Sequence, residues 1–143
     1  MNGNDFLRRI AASRFMRFAA VGGAGFFVNE AALALAHGLL GAGPRLGWFI
    51  AFFPAVTFTW WGNRNLTFAD QASGGHVGML AEWARFVLTN SLGAVANFAI
   101  YAVLIGNAPY PLNIPYLALA MGILAGLVFN YTLSKRLVFR SEK

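Results

Sequence analysis

Cysteine is absent from the 143-residue chain, which excludes a disulfide framework and a cysteine-based metal site. The two histidines, His37 and His76, lie far apart and have no carboxylate at ligand spacing, so we expect no metal centre and no cofactor. Charge is also scarce, because 11% of the residues are charged, whereas a soluble domain carries about 25%. With 58% hydrophobic residues, the composition predicts a membrane protein.

Four apolar stretches predict an all-α membrane protein with four transmembrane helices arranged as two hairpins. The stretches cover about residues 18–40, 46–61, 86–105 and 116–133, and the second and fourth can extend to 68 and 138. The predicted organisation is a basic cytoplasmic or interfacial segment (1–17), a first hairpin (18–68), a cytoplasmic linker (69–84), a second hairpin (85–138) and a cytoplasmic tail (139–143).

The net charge of +6 is explained by the orientation of the helices. Of the eleven Lys and Arg residues, ten lie in the two terminal segments or beside the middle linker, and only Arg45 lies in a loop on the other side. The positive-inside rule therefore predicts that both termini and the linker are cytoplasmic. Because the basic residues flank apolar runs and form no stripe with interleaved aromatics, we expect no nucleic-acid binding.

A pattern of arginine, phenylalanine, small residues and asparagine occurs twice. Arg17-Phe18, Gly22, Gly25 and Asn29 are repeated 68 residues later as Arg85-Phe86, Asn90, Gly93 and Asn97. A second match, 71 residues apart, pairs Ala51, Ala55, Thr59, Asn63, Arg64 and Phe68 with Gly122, Gly126, Asn130, Ser134, Lys135 and Phe139. Since each copy holds two helices, both copies enter the membrane in the same direction, which predicts a parallel repeat.

Small residues at helical spacing predict close helix packing. Residues four apart lie on one helix face, and small side chains there let two helices approach closely in lipid. The positions expected to pack in this way are Gly22, Gly25, Gly93, Gly122 and Gly126.

Polar residues near the middle of the spans are Asn29, Glu30 and Asn97. A central carboxylate costs about 2.5–3.5 kcal/mol on insertion scales and usually faces a cavity or a partner. Glu30 is the only acidic residue within the four predicted spans. It is either a proton-linked or substrate-binding carboxylate, or a protonated group with a structural hydrogen bond. The two asparagines either bond between helices or line a pathway where they could bind sugar hydroxyls.

Basic residues at the cytoplasmic edge form a candidate phosphate site. Arginine holds a phosphate with two parallel hydrogen bonds, and lysine acts as a point charge. The alternative is that each of them only sets the topology and snorkels to the headgroups. The candidates are Arg17, Arg64, Arg85, Lys135 and Arg136.

The chain resembles the GtrA-like family of small membrane proteins. The resemblance runs over about residues 14–140 and depends on four elements in order, which are Arg17-Phe18-Ala19-Ala20-Val21-Gly22, Asn63-Arg64-Asn65-Leu66-Thr67-Phe68, Arg85-Phe86 and the stretch from Asn130 to Phe139. It implies a role in cell-surface polysaccharide synthesis, in which members move a polyprenyl-phosphate-linked sugar to the outer leaflet. Some relatives are more similar to anchors or accessory subunits of a glycosyltransferase.

The leading hypothesis is a flippase for such a lipid in a bacterial or archaeal cytoplasmic membrane. The basic residues would hold the phosphate, and a polar path for the sugar would consist of Asn29, Glu30, Thr59, Asn97 and Asn130. The alternative is a scaffold for a glycosyltransferase, and a small proton-coupled multidrug transporter is a third. No paired carboxylates or nucleophile–base constellation predicts a catalytic site or an enzyme. Four helices are too few to enclose a path for a lipid-linked sugar, so we expect a homo-oligomer.

Overall fold

The computed structural model describes residues 13–139. Most of the predicted basic segment and of the predicted tail, at 1–12 and 140–143, lies outside the described residues, as does the side chain of Arg45. Between residues 13 and 139 the chain forms four α-helices and no strand. The predicted all-α fold is therefore confirmed. The bounds of the helices are Arg14–Leu40 (α1), Pro44–Gly62 (α2), Gly75–Asn107 (α3) and Pro115–Leu133 (α4).

Turn residues determine where the helices begin and end. Gly41 has a positive φ of 58° and caps α1, a conformation that costs glycine little. Pro44 and Pro115 open α2 and α4, where a fixed φ and a missing N–H suit the first turn. Both hairpin connections are therefore short and specified by sequence.

Several helices are able to span a membrane, so the chain is a membrane protein. Among the described residues, the segments with the necessary length and hydropathy are Arg14–Leu40, Gly75–Asn107 and Pro115–Val138. Helix α2 has 19 residues and is not among them, because Arg45 and its tryptophans, threonines and prolines lower its mean hydropathy.

Helix α3 begins earlier than the sequence predicted. It starts at Gly75, inside the predicted linker of residues 69–84, and runs for 33 residues. At 1.5 Å per residue it is roughly 50 Å long, which exceeds the hydrocarbon core of a bilayer. The remaining connection consists of a short 3₁₀ turn, Ala69–Gln71, and residues 72–74.

The four helices pack as two hairpins, α1 with α2 and α3 with α4, and contacts between the hairpins are fewer. We call the end at which α1 and α3 begin and α2 and α4 end the basic end. Within residues 13–139, every buried hydrophobic side chain larger than alanine lies toward this end. The buried hydrophobic residues nearer the other end are alanines: Ala36, Ala42, Ala51 and Ala118. The hairpins are therefore held together mainly at the basic end.

The sequence repeat is also a structural repeat. Helices α2 and α4 both end in a π-helical turn, Asn63–Thr67 and Ser134–Val138. The amide of Phe68 donates to the carbonyl of Asn63 (2.8 Å), and that of Phe139 donates to the carbonyl of Ser134 (2.9 Å). The rings of Phe68 and Phe139 stack on each other with centroids 4.6 Å apart and planes 13° apart. Equivalent residues thus meet at the contact between the two repeats.

The aromatic contacts within each repeat match as well. The rings of Phe18 and Phe68 make an edge contact at 6.3 Å, and those of Phe86 and Phe139 make one at 6.2 Å. Tyr131 stacks on Phe68 with centroids 6.1 Å apart. We call Phe18, Phe68, Phe86, Tyr131 and Phe139 the aromatic cluster. It forms the core of the basic end.

Glycines permit the close approach of the helices within each hairpin. A Cβ on Gly25 would collide with the hydroxyl of Thr59, and a Cβ on Gly93 would collide with the amide of Asn130. Gly122 and Gly126 lie in the same way against Asn97. Gly22 is different, because nothing lies within 4 Å of its missing Cβ. Four of the five glycines expected to pack thus lie against a neighbouring helix, and Gly22 faces open space.

This difference supplies a matched pair of substitutions. We expect Gly93→Ala to destabilise the protein by about 1–3 kcal/mol, because the new methyl group overlaps the Asn130 amide. Gly22→Ala should be neutral or stabilising by about 0.5–1 kcal/mol, because alanine is the better helix former and has room. Unfolding in detergent micelles would measure both. Equal effects of the two substitutions would contradict the packing assignment.

Candidate functional site

A cavity of about 710 Å³ lies between the two hairpins and is lined by all four helices. Its volume is in the range of about 300–1,000 Å³ that is typical of ligand pockets. Most of its lining is apolar, and no ionisable side chain contributes to it. Its polar lining consists of Asn29, Thr59, Asn90, Asn97 and Asn130. Such a cavity suits an uncharged group that carries several hydroxyls.

Asn130 supplies an acceptor that the protein leaves unpaired. Its Oδ1 atom is buried and has no hydrogen-bond partner within residues 13–139. A ligand in the cavity would contact the rest of the Asn130 side chain, because Oδ1 itself is enclosed against Gly93. The fit of the Asn130 amide against Gly93 fixes its position, because no Cβ separates the two helices there.

The other polar groups of the cavity differ in how they are held. Thr59 Oγ1 donates to the carbonyl of Ala55 (2.7 Å), and Asn90 Nδ2 donates to the carbonyl of Phe86 (3.0 Å), so each is oriented by its own helix. Asn29 Nδ2 makes a long contact of 3.5 Å to Glu30 Oε1. In each of these residues some hydrogen-bonding capacity remains for a ligand.

Four of the five residues of the predicted polar path line this cavity, and Glu30 does not. Its side chain is exposed on the outside of α1, next to Asn29. Asn90 also lines the cavity, although the sequence reasoning did not include it in the path. It occupies the position in the second repeat that Gly22 occupies in the first, and it lies two helical turns before Asn97. That spacing was the signal that could have found it.

At the basic end, the predicted phosphate ligand Arg64 is already paired. Its Nη1 donates to Glu82 Oε2 at 2.7 Å, and its Nη2 donates to the carbonyl of Ser73 at 2.5 Å. The same carboxylate accepts from Trp60 Nε1 (3.0 Å) and from the backbone N–H of Ser73 (2.7 Å). Glu82 is fully buried, and the Arg64 side chain is 17% exposed. We call Trp60, Arg64, Ser73 and Glu82 the Glu82 clamp.

Arg17 is also occupied by the protein. Its Nη1 donates to the carbonyl of Leu66 (2.9 Å), which joins the start of α1 to the π turn after α2. Its Nε atom is buried and has no hydrogen-bond partner among the described residues. Nearby, Arg14 forms an ion pair of 2.6 Å with Asp70.

The remaining three predicted phosphate ligands have a different environment. Arg85, Lys135 and Arg136 are all exposed. No hydrogen bond or ion pair joins them to another residue of the described part of the chain. They lie at the same end because Arg85 precedes Phe86, which contacts Phe139 just after the second π turn. Among residues 13–139, they are the predicted phosphate ligands whose charged groups have no partner.

A family model described as GtrA/DPMS, transmembrane domain, matches residues 17–139. The chain belongs to this family. The resemblance expected from the sequence is thereby confirmed. Neither a search of curated proteins nor one of solved structures finds a match. Membership of the GtrA/DPMS family fits a membrane protein that acts in polyprenyl-phosphate sugar processes.

In this GtrA/DPMS protein, the four sequence elements that carry the resemblance meet at the basic end. Each element contributes a phenylalanine to the aromatic cluster, namely Phe18, Phe68, Phe86 and Phe139. The last element, which begins at Asn130, also reaches the cavity. The recurring elements of this sequence thus build one place in the fold, the basic end and the cavity beside it.

Proposed function

We propose that this protein translocates a polyprenyl-phosphate-linked sugar across the cytoplasmic membrane of a bacterium or archaeon. The observation that carries the proposal is the cavity between the hairpins, which is lined by four asparagine side chains. Amide groups both donate and accept, as sugar hydroxyls do, so a hexose in the cavity can exchange some of its water contacts for contacts with amides. The prenyl chain would remain in the lipid beside the hairpins.

The proposed topology has four spans with both termini in the cytoplasm, so that the basic end is cytoplasmic. Although α2 is not among the segments with the hydropathy of a membrane span, it packs against α1 and would cross as part of that hairpin. Since the cavity has no charged lining, the lipid would first be captured with its phosphate at the basic end and its sugar in the cavity, and the phosphate would follow the sugar across. Movement would be passive and driven by consumption of the lipid on the far side, with no catalytic step on this chain.

A second candidate is an accessory subunit that positions a glycosyltransferase. The observation in its favour is Glu30, a carboxylate exposed near the middle of α1. A charged group facing lipid at that depth is unfavourable, so this surface favours contact with protein. A second copy of the chain or a glycosyltransferase would each supply such a contact. A multidrug transporter is less well supported, because Glu30 lies outside the cavity.

Reconstitution distinguishes the two functions. We expect vesicles that contain the purified protein to move a labelled polyprenyl-phosphate hexose between leaflets faster than protein-free vesicles, measured by a reagent that reacts only with the outer leaflet. Vesicles that contain an unrelated four-helix membrane protein are the control for leakage. A rate equal to this control, together with co-purification of a glycosyltransferase, would reject translocation and support the accessory role.

A further inference from the structure

The two repeats carry equivalent cations at the basic end, but the structure uses them differently. Arg17 of the first repeat corresponds to Arg85 of the second, and Arg64 corresponds to Lys135. Arg17 and Arg64 make hydrogen bonds to the protein, whereas their counterparts are exposed. Equivalent positions in a repeat would have equivalent surroundings if both had the same role. They therefore have separate roles.

The difference between Arg64 and Lys135 follows from an exchange of charge between the repeats. In the fold, Arg64 at the end of α2 meets Glu82 near the start of α3. The position equivalent to Glu82 in the first repeat is Arg14, so the partner that the repeat symmetry would give Lys135 is another cation. Arg14 itself pairs with Asp70, whose own equivalent position in the sequence is Ser141. At the positions equivalent to Glu82 and Asp70, the sequence thus provides no carboxylate that would neutralise the second repeat.

We propose that the lipid phosphate is bound by the second repeat, through Arg85, Lys135 and Arg136, and that Arg17 and Arg64 are structural residues. This inference rests on the proposed function and names the part of the chain that captures its substrate. The charge of the phosphodiester would replace the carboxylate that the second repeat lacks. The arginines would donate two parallel hydrogen bonds, and Lys135 would contribute a compact charge.

The asparagines of the cavity support the same division. Asn90, Asn97 and Asn130 all belong to the second hairpin, and Asn130 holds the unpaired acceptor. In the first repeat the position equivalent to Asn90 is Gly22, and the position equivalent to Asn130 is Thr59, whose hydroxyl is engaged by its own helix. A lipid held by the cations of the second repeat would thus place its sugar beside the polar side of the cavity.

Binding in nanodiscs tests the inference without any requirement for transport. The protein would be embedded in phosphatidylcholine and titrated with undecaprenyl phosphate, and separately with phosphatidylglycerol. We expect Arg85→Gln, Lys135→Gln and Arg136→Gln each to weaken the affinity for undecaprenyl phosphate about tenfold, with little change in Tm. The counterparts Arg17→Gln and Arg64→Gln should lower Tm but keep the affinity within about twofold when measured below Tm. Arg14→Gln is the control for loss of a basic charge at this end.

The outcomes are distinct. Equal weakening by the substitutions of both repeats, with unchanged Tm, would overturn the assignment to the second repeat. Equal affinity for phosphatidylglycerol and undecaprenyl phosphate would overturn the assignment to the lipid-linked substrate, because the site would then be a general site for anionic lipid. If the wild-type protein binds as expected but does not move the lipid between leaflets, the proposed function fails and the binding site stands.

Discussion

Replacement of Glu82 by alanine is expected to destabilise the protein by about 3–5 kcal/mol. The carboxylate is fully buried and accepts hydrogen bonds from Trp60, Arg64 and the backbone of Ser73. Without it, the guanidinium of Arg64 keeps its charge at a site where its side chain is only 17% exposed. The indole N–H of Trp60 and the amide of Ser73 lose their acceptor at the same time, and each unpaired donor adds to the cost.

The effect should reach beyond the three partners, because the clamp joins the two hairpins. Trp60 and Arg64 belong to the first hairpin, and Glu82 lies on α3 of the second. Since contacts between the hairpins are concentrated at the basic end, loss of the clamp removes a large part of what holds them together. We therefore expect a loosened pair of hairpins in addition to a lower Tm.

A matched control is available in Asp70. Its ion pair with Arg14 has a similar length of 2.6 Å, but the two side chains are 57% and 34% exposed. Asp70→Ala should therefore cost less than about 1 kcal/mol. Glu82→Gln should have an intermediate effect, because the amide oxygen can still accept from Trp60 or Ser73 while the charge is lost. Thermal unfolding in one detergent would compare all three, and similar changes for Glu82→Ala and Asp70→Ala would disprove the role of the clamp.

Glu82 also illustrates what could not be predicted from the sequence. The repeat elements identify Arg64 as a conspicuous cation, and its partner lies 18 residues further along the chain. That partner falls in a stretch whose polar composition predicts a linker. Only because α3 begins at Gly75 does Glu82 lie on a helix, with its side chain directed at Arg64. Pairing across a connection of this kind depends on tertiary structure, which local patterns do not specify.

The polar cavity was largely predictable, because equivalent residues of a parallel repeat lie at the same depth and face the same axis. This reasoning brought Asn29, Asn97 and Asn130 together. Glu30 was grouped with them because of its depth, but successive residues of an α-helix point about 100° apart. Since Asn29 faces the cavity, the side chain of Glu30 turns away from it. Depth can be predicted from hydropathy, whereas the face requires knowledge of the neighbouring helices.

The helix face was also the reason why the prediction for Gly22 was wrong. Its spacing to Gly25 suggested that both pack against a helix, yet only Gly25 lies at the contact with Thr59. Gly22 lines the cavity together with its counterpart Asn90. A glycine in one copy and an asparagine in the other therefore mark a position with free space, not a packing contact.

Replacement of Asn130 by leucine is expected to lower the rate of lipid translocation about tenfold while leaving the fold intact or more stable. The sugar would lose its polar contact with the Asn130 amide in an otherwise apolar cavity, and about 1.4 kcal/mol corresponds to a factor of ten. The protein itself loses nothing, because Oδ1 of Asn130 has no partner among the described residues. Leucine branches at Cγ as asparagine does, so it is the apolar substitution that changes the shape of the side chain least.

This prediction is specific because the rate of transport should fall while the stability of the fold is kept or rises. Leaflet-resolved transport and thermal unfolding would be measured on the same preparations of the wild type, Asn130→Leu and Asn107→Leu. Asn107 is a suitable control, because its exposed amide only donates to the carbonyl of Val103 on its own helix, outside the cavity. A slower transport that accompanies a lower Tm would indicate a structural role for Asn130. Unchanged transport by a stably folded Asn130→Leu protein would mean that the sugar does not use this cavity.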